Sequence, residues 1–227
     1  YQAIPGERFV WEPWKGVLFT NSTSAKSQLI QMAEDAFEAQ WSPNGQQIGF
    51  LRRKGQTPQL WTVPTGGGQP TLLVQDYVLF NSYRSSPPYN RIQPKAWSWS
   101  PNSERIAYAA RSSSPDDGVK IQIISINGKQ TIQASPVREA GSRDAAAQFN
   151  SPLWSPDGQS LAYLGETAGQ SSANQKRHLW VTPIQQSGQP NNPQNNPQPM
   201  MIFQTESFLR LLGWSANDSL LFALADS

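Results

Sequence analysis

Apolar residues recur along this chain as pairs two positions apart, each pair following a tryptophan and a short polar phrase. Ile48 and Phe50 follow Trp41, Ile106 and Tyr108 follow Trp99, and Leu161 and Tyr163 follow Trp154, always seven and nine residues on. Leu220 and Phe222 follow Trp214, and Val17 and Phe19 follow Trp11, at six and eight. Side chains at i and i+2 share one face of an extended strand, so each pair predicts a strand with one buried face. The phrases between are Trp41-Ser42-Pro43-Asn44-Gly45, Trp99-Ser100-Pro101-Asn102-Ser103, Trp154-Ser155-Pro156-Asp157-Gly158, Trp214-Ser215-Ala216-Asn217-Asp218 and the degenerate Trp11-Glu12-Pro13. Proline presets φ, Asn or Asp hydrogen-bonds its own backbone, and Gly accepts positive φ, so the phrase predicts a tight turn. Every unit therefore opens as strand, turn, strand.

Third strands are read at Ser27–Gln31, Gln59–Val63, Lys120–Ile124 and His178–Val181. Fourth strands are read at Thr71–Val74, Thr131–Gln133 and Met200–Phe203. The first unit's fourth strand is placed near Ala36-Phe37, where the pattern is thin. Four short antiparallel strands per unit make a propeller blade, and blades must stack to bury their faces. The expected fold is all-β, a β-propeller of four-stranded antiparallel blades. About five blades are expected, near 8–38, 39–75, 96–134, 150–204 and 207–227, with the last incomplete.

Trp-Ser-Pro-Asp-Gly, an Ile-Ala-Phe-like strand, Leu-Trp-Val and a Gly-Gly turn together resemble the WD-like β-propeller repeat of TolB. The same repeat occurs in the propeller domains of prolyl oligopeptidase-family enzymes. Residues 41–74 match best, including Gly66-Gly67-Gly68. Residues 154–204 match with an insertion, 99–134 lack the Leu-Trp, and 11–37 are degenerate. The resemblance implies a fold that many unrelated activities share.

Trp-to-Trp spacings of 30, 58, 55 and 60 residues depart from the ~40–45 of an ordinary blade. The excess lies in 75–95, in the mixed-charge stretch 135–149 with Ala145-Ala146-Ala147 as a helical turn, and in 185–199. The last tract, rich in Gln, Asn and Pro, is expected to be a disordered loop between the third and fourth strands of its blade. The chain stops just after a second strand. Residues 1–7 have the length of one closing strand, not two, so the expectation is a sequence cut from a longer protein or separated from a further domain, the alternative being a ring that closes with a thin fifth blade.

Aromatic residues are 11% of the chain, charged residues 15%, and Gly and Pro are frequent, all in keeping with an all-β reading. Net charge is +2, too small for a strong steering field. Arg52-Arg53-Lys54 reads as a solvated loop, and the strong basicity of a nucleic-acid binder is absent. The repeat tryptophans read as blade-to-blade packing, and Trp97 shares a face with Trp99. There is no cysteine, which excludes disulfides, thiolate metal sites and a Cys nucleophile. No hydrophobic run has the ~18 residues of a spanning helix, so this chain carries no membrane-inserting segment of that kind.

Candidate chemistry is sparse. His178, the single histidine, reads as a partly exposed strand residue. Gly-x-Ser-x-Gly is absent, and Gly66-Gly67-Gly68 lies between strands as a hairpin turn. Asp116-Asp117-Gly118 lacks the spaced oxygens of a calcium loop. No catalytic residue, metal site or cofactor is assigned. Binding residues of rigid scaffolds tend to sit on loops, and 75–95 is the longest aromatic-bearing one. Its Tyr77, Tyr83, Arg84, Tyr89 and Arg91 are of types enriched at protein–protein hot spots. An equally plain reading folds this loop over the blade edge with Tyr77 and Phe80 buried. The resemblance implies a non-catalytic module binding a protein or peptide in the bacterial periplasm or at the cell surface. The alternatives are the propeller of a larger enzyme, such as a prolyl oligopeptidase-like peptidase, and a ligand- or glycan-sensing ectodomain.

Overall fold

A computed structural model describes residues 17–20, 30–55, 57–75, 78, 95–111, 118–128, 130–136, 148–166, 176–184 and 198–225. The described residues are all strand, turn and irregular structure. The chain is a β-propeller of antiparallel blades, the last showing two strands among the described residues. The first blade shows β1 (Leu18–Thr20) paired with β2 (Ile30–Ala33). The second is complete: β3 (Ala36–Trp41), β4 (Gln47–Lys54), β5 (Thr57–Pro64) and β6 (Thr71–Val74), paired in that order. The third holds β7 (Trp97–Trp99), β8 (Arg105–Arg111), β9 (Val119–Ser125) and β10 (Thr131–Gln133). The fourth holds β11 (Gln148–Trp154), β12 (Ser160–Glu166), β13 (Arg177–Pro183) and β14 (Met200–Thr205). The fifth holds β15 (Phe208–Trp214) and β16 (Leu220–Ala225).

Four of the five apolar pairs fall where the pattern placed them; the fifth does not, since Val17 precedes β1 and is exposed while Leu18 packs inward. Ile48 and Phe50 face the first blade, clustered with Met32, Ala33 and Leu18. Residues between them point the other way. Leu51 and Leu60 therefore meet Trp97, Trp99, Ile106 and Tyr108 of the third blade. Ala107, Ile121 and Ile123 meet Phe149, Trp154, Leu161 and Tyr163 of the fourth. Leu164 and Leu179 meet Leu209, Leu220 and Phe222 of the fifth. The core is thus a series of seams, each strand face contributing to one of them.

The seams require small residues where a tryptophan crosses. A Cβ on Gly49 would come within 2.8 Å of the Trp97 ring, and one on Gly165 within 2.8 Å of the Phe149 ring. Indole N–H groups also link blades. Trp99 Nε1 donates to Gln40 O (3.3 Å), and Trp214 Nε1 donates to Leu153 O (3.1 Å). In each case the acceptor immediately precedes the tryptophan of the blade before. The middle seam differs: Arg105 lies over the Trp154 ring, 5.1 Å from its centroid, and Trp154 Nε1 has no hydrogen-bond partner among the described residues.

Four further expectations change. Ala36-Phe37 do not end the first blade; they open β3, the inner strand of the second. The link from β2 is only Glu34 and Asp35, with Asp35 at φ 52°, so no room is left for another strand. Arg52-Arg53-Lys54 are not a loop but the end of β4, paired with Thr57 to Gln59. The Arg52 guanidinium lies 4.9 Å from the Trp61 ring centroid, and its Nε donates to Glu34 O (3.0 Å). His178 is buried, 9% exposed. Trp41 is 58% exposed, unlike Trp99 and Trp154 at 7% and 6%. The helical turn at 145–147, the acidic pair Asp116-Asp117 and the tract 185–197 lie outside the described residues.

Candidate interaction face

Antiparallel alternation gives the blades two distinct ends. Connections from first to second strand and from third to fourth lie at one end. Connections from second to third strand and onward to the next blade lie at the other. The parallel bridge between Gln148 and Val119, which open β11 and β9, confirms that both strands start together at this second end.

The first end is built by the repeated phrase. In the second blade Ser42 Oγ donates to Asn44 Oδ1 (2.8 Å) and accepts from Gln47 N (2.9 Å), while Gln46 N donates to Asn44 Oδ1 (3.0 Å). Ser100 and Asn102 repeat this with Arg105 and Glu104, and Ser155 and Asp157 with Ser160 and Gln159. The serine amide and carbonyl close each turn, for instance Ser155 N to Ser160 O and Gly158 N to Ser155 O, both 2.9 Å. The fifth position takes positive φ whatever its residue: Gly45 70°, Ser103 62°, Gly158 71°, Asp218 57°. Neighbouring turns touch, since Asn44 N donates to Ser103 Oγ (3.0 Å). Hydrogen bonds from Ser155 and the Gln159 amide hold the Asp157 carboxyl below its ordinary pKa. These polar groups satisfy one another, so the turn end is occupied with its own structure.

The second end, the hairpin end, carries two of the three long connections; the third, 184–199, joins β13 to β14 at the turn end. Residues 75–96 leave β6 and return to β7 there, and 134–147 leave β10 and return to β11 there. Val78 fixes the first of these. It is fully buried, forms a bridge with Ala110, and its N–H donates to Pro58 O (3.1 Å). The candidates Tyr77, Tyr83, Arg84, Tyr89 and Arg91 lie outside the described residues; Val78, in the same connection, lies in the seam of blades two and three.

His178 also sits toward this end, packed rather than presented. Its ring meets Trp180 edge-on at 6.4 Å. Burial pushes its pKa down, against a hydrogen bond with Gln204 that raises it, and Lys176 lowers it further. Among the described residues no group of His, Cys, Asp and Glu is placed to hold a metal ion, and no helix is long and apolar enough to cross a membrane.

The sequence pattern gave no sign of Glu38. It occupies a bulge in β3 between Phe37 and Gln40, at φ 49°, and burial raises its carboxyl pKa to about 7. Ser151 repeats this bulge in β11 at φ 55°, also three residues before the tryptophan. The signal that could have located it is that shared spacing.

No family model and no curated protein matches the sequence. Among solved structures the chain is similar to an oligogalacturonate lyase in complex with manganese, at 9% identity and a TM-score of 0.52, over 86% of this chain and 49% of that one. The β-propeller domain of the Trilobed protease from Pyrococcus furiosus is 9% identical, with a TM-score of 0.48, over 82% of this chain and 52% of that one. TolB from Acinetobacter baumannii is 11% identical, with a TM-score of 0.44, over 95% and 58%. The chain spans about half the length of these structures, and the likeness is one of fold.

Proposed function

We propose that this propeller is a non-catalytic module that binds a protein or peptide in the bacterial envelope, with the hairpin end as its binding face. The TolB-like repeat phrase supports the kind of module. The observation that carries the reading is the long connection 75–96, which is rich in Tyr and Arg and begins and ends at the hairpin end of a rigid stack of blades. Its residue Val78 is buried in the seam of blades two and three. Loops held by a rigid scaffold are where binding residues concentrate, and Tyr and Arg supply large contact area with directional hydrogen bonds. The test is recovery of a defined partner from envelope extract by the protein and by a variant with residues 79–94 shortened. Loss of the partner in the variant is expected; unchanged recovery rejects this face.

A further inference from the structure

The described basic residues are concentrated at one of the two ends of the blades. Of the basic residues described, Arg105 alone lies at the turn end. The others fall at or near the hairpin end. Lys54 closes β4, Lys95 precedes β7, Arg111 closes β8, Lys176 precedes β13 and Arg210 lies near the start of β15. All five of these are exposed. The turn end instead presents Glu104, Asp157 and Asp218, all exposed. Carboxylates also occur at the hairpin end, notably Glu34, Asp35 and Glu206. Glu166 there pairs with Arg177 at 3.7 Å, and Arg177 Nη1 donates to Glu206 O (2.8 Å).

From this separation we propose that the hairpin end recognises an acidic, extended protein segment. The inference rests on the binding reading above and names the chemistry of its partner. The basic groups come from successive blades and so form an arc over one face. An arc of separated cations attracts a chain whose carboxylates are spaced along it. The interspersed Glu34, Asp35 and Glu206 favour a peptide over a nucleic acid, because a continuous run of phosphates would meet them as well as the lysines.

The experiment uses a Glu-rich extended peptide as probe. Lys-rich and uncharged peptides of equal length and a random single-stranded DNA serve as comparators. Two triple variants change net charge by the same amount: Lys54→Gln with Arg111→Gln and Lys176→Gln at the hairpin end, and Gln46→Glu with Gln130→Glu and Gln159→Glu at the turn end. The wild type is expected to prefer the acidic peptide, with affinity falling as salt is raised. The hairpin-end variant should bind at least about tenfold more weakly, and the turn-end variant should change less than about twofold. Equal weakening of both variants, or tighter binding of the DNA than of the peptide, overturns the proposal. An envelope partner recovered alike by both variants keeps the binding reading and overturns the acidic specificity. Failure of the wild type to recover any partner overturns the binding reading itself.

Discussion

The turn end and the hairpin end of the blades are made of the same strands, yet they use their residues in opposite ways. At the turn end Ser42, Ser100 and Ser155 each organise the same set of hydrogen bonds, and little polar capacity is left over. Among the described residues of the hairpin end, no comparable set recurs from blade to blade. Charges are exposed there, and connections range from the two residues Gly55-Gln56 to the long segment 75–96. One end repeats because it must close the same turn in each of these blades. The other is free to vary because the strands beneath it are already fixed. Architecture is thus written at one end, and the proposed binding face lies at the other.

The sharpest way to break this comparison is to remove a seam residue. Trp99→Ala deletes a buried indole and its bond to Gln40 O, and should cost about 3–5 kcal/mol in chemical denaturation. A loss below about 1 kcal/mol would mean that the seams do not hold the blades together.

Glu38 gives the next effect, and its sign is distinctive. Its folded pKa of about 7 lies above the ordinary value of 4.5, so the folded state holds the proton more tightly than the unfolded state. Stability should fall as pH rises from about 4.5 to about 7 and then level off, a penalty of about 3 kcal/mol. Glu38→Gln should remove that slope and raise stability at and above neutral pH. Denaturation midpoints of both proteins across this range decide the point, and an unchanged slope in the variant would refute it.

Within the turn end, Ser155→Ala removes the acceptor of Ser160 N and the donor to Asp157, and should cost about 1–2 kcal/mol. At the hairpin end the exposed Lys54→Gln and Arg111→Gln should each change stability by less than about 0.5 kcal/mol. Equal costs for these and Ser155→Ala would erase the distinction between the two ends.

How far the sequence discloses the molecule follows the same divide. β6 and β10 match the expected fourth strands residue for residue, because alternation and flanking turns are local properties. The error at Ala36-Phe37 arose because the first blade passes to the second through only two residues, so the strand looked like the end of one unit. Trp41 was expected to be covered like its counterparts. Its exposure depends on what lies against that face, which no local pattern records. The charge separation was hidden for a related reason. Lys54, Lys95, Arg111 and Lys176 stand far apart in the chain, net charge is only +2, and antiparallel folding alone brings them to one end.

Amide hydrogen exchange with and without the Glu-rich peptide tests the division of labour most directly. In the free protein the amides of Gln47, Arg105 and Ser160, bound to the turn serines, should be among the slowest to exchange. Peptide should add protection at the hairpin-end residues around Lys54, Arg111 and Lys176 and leave the turn amides unchanged. New protection centred on the turn amides, with the hairpin end unaffected, would contradict the account.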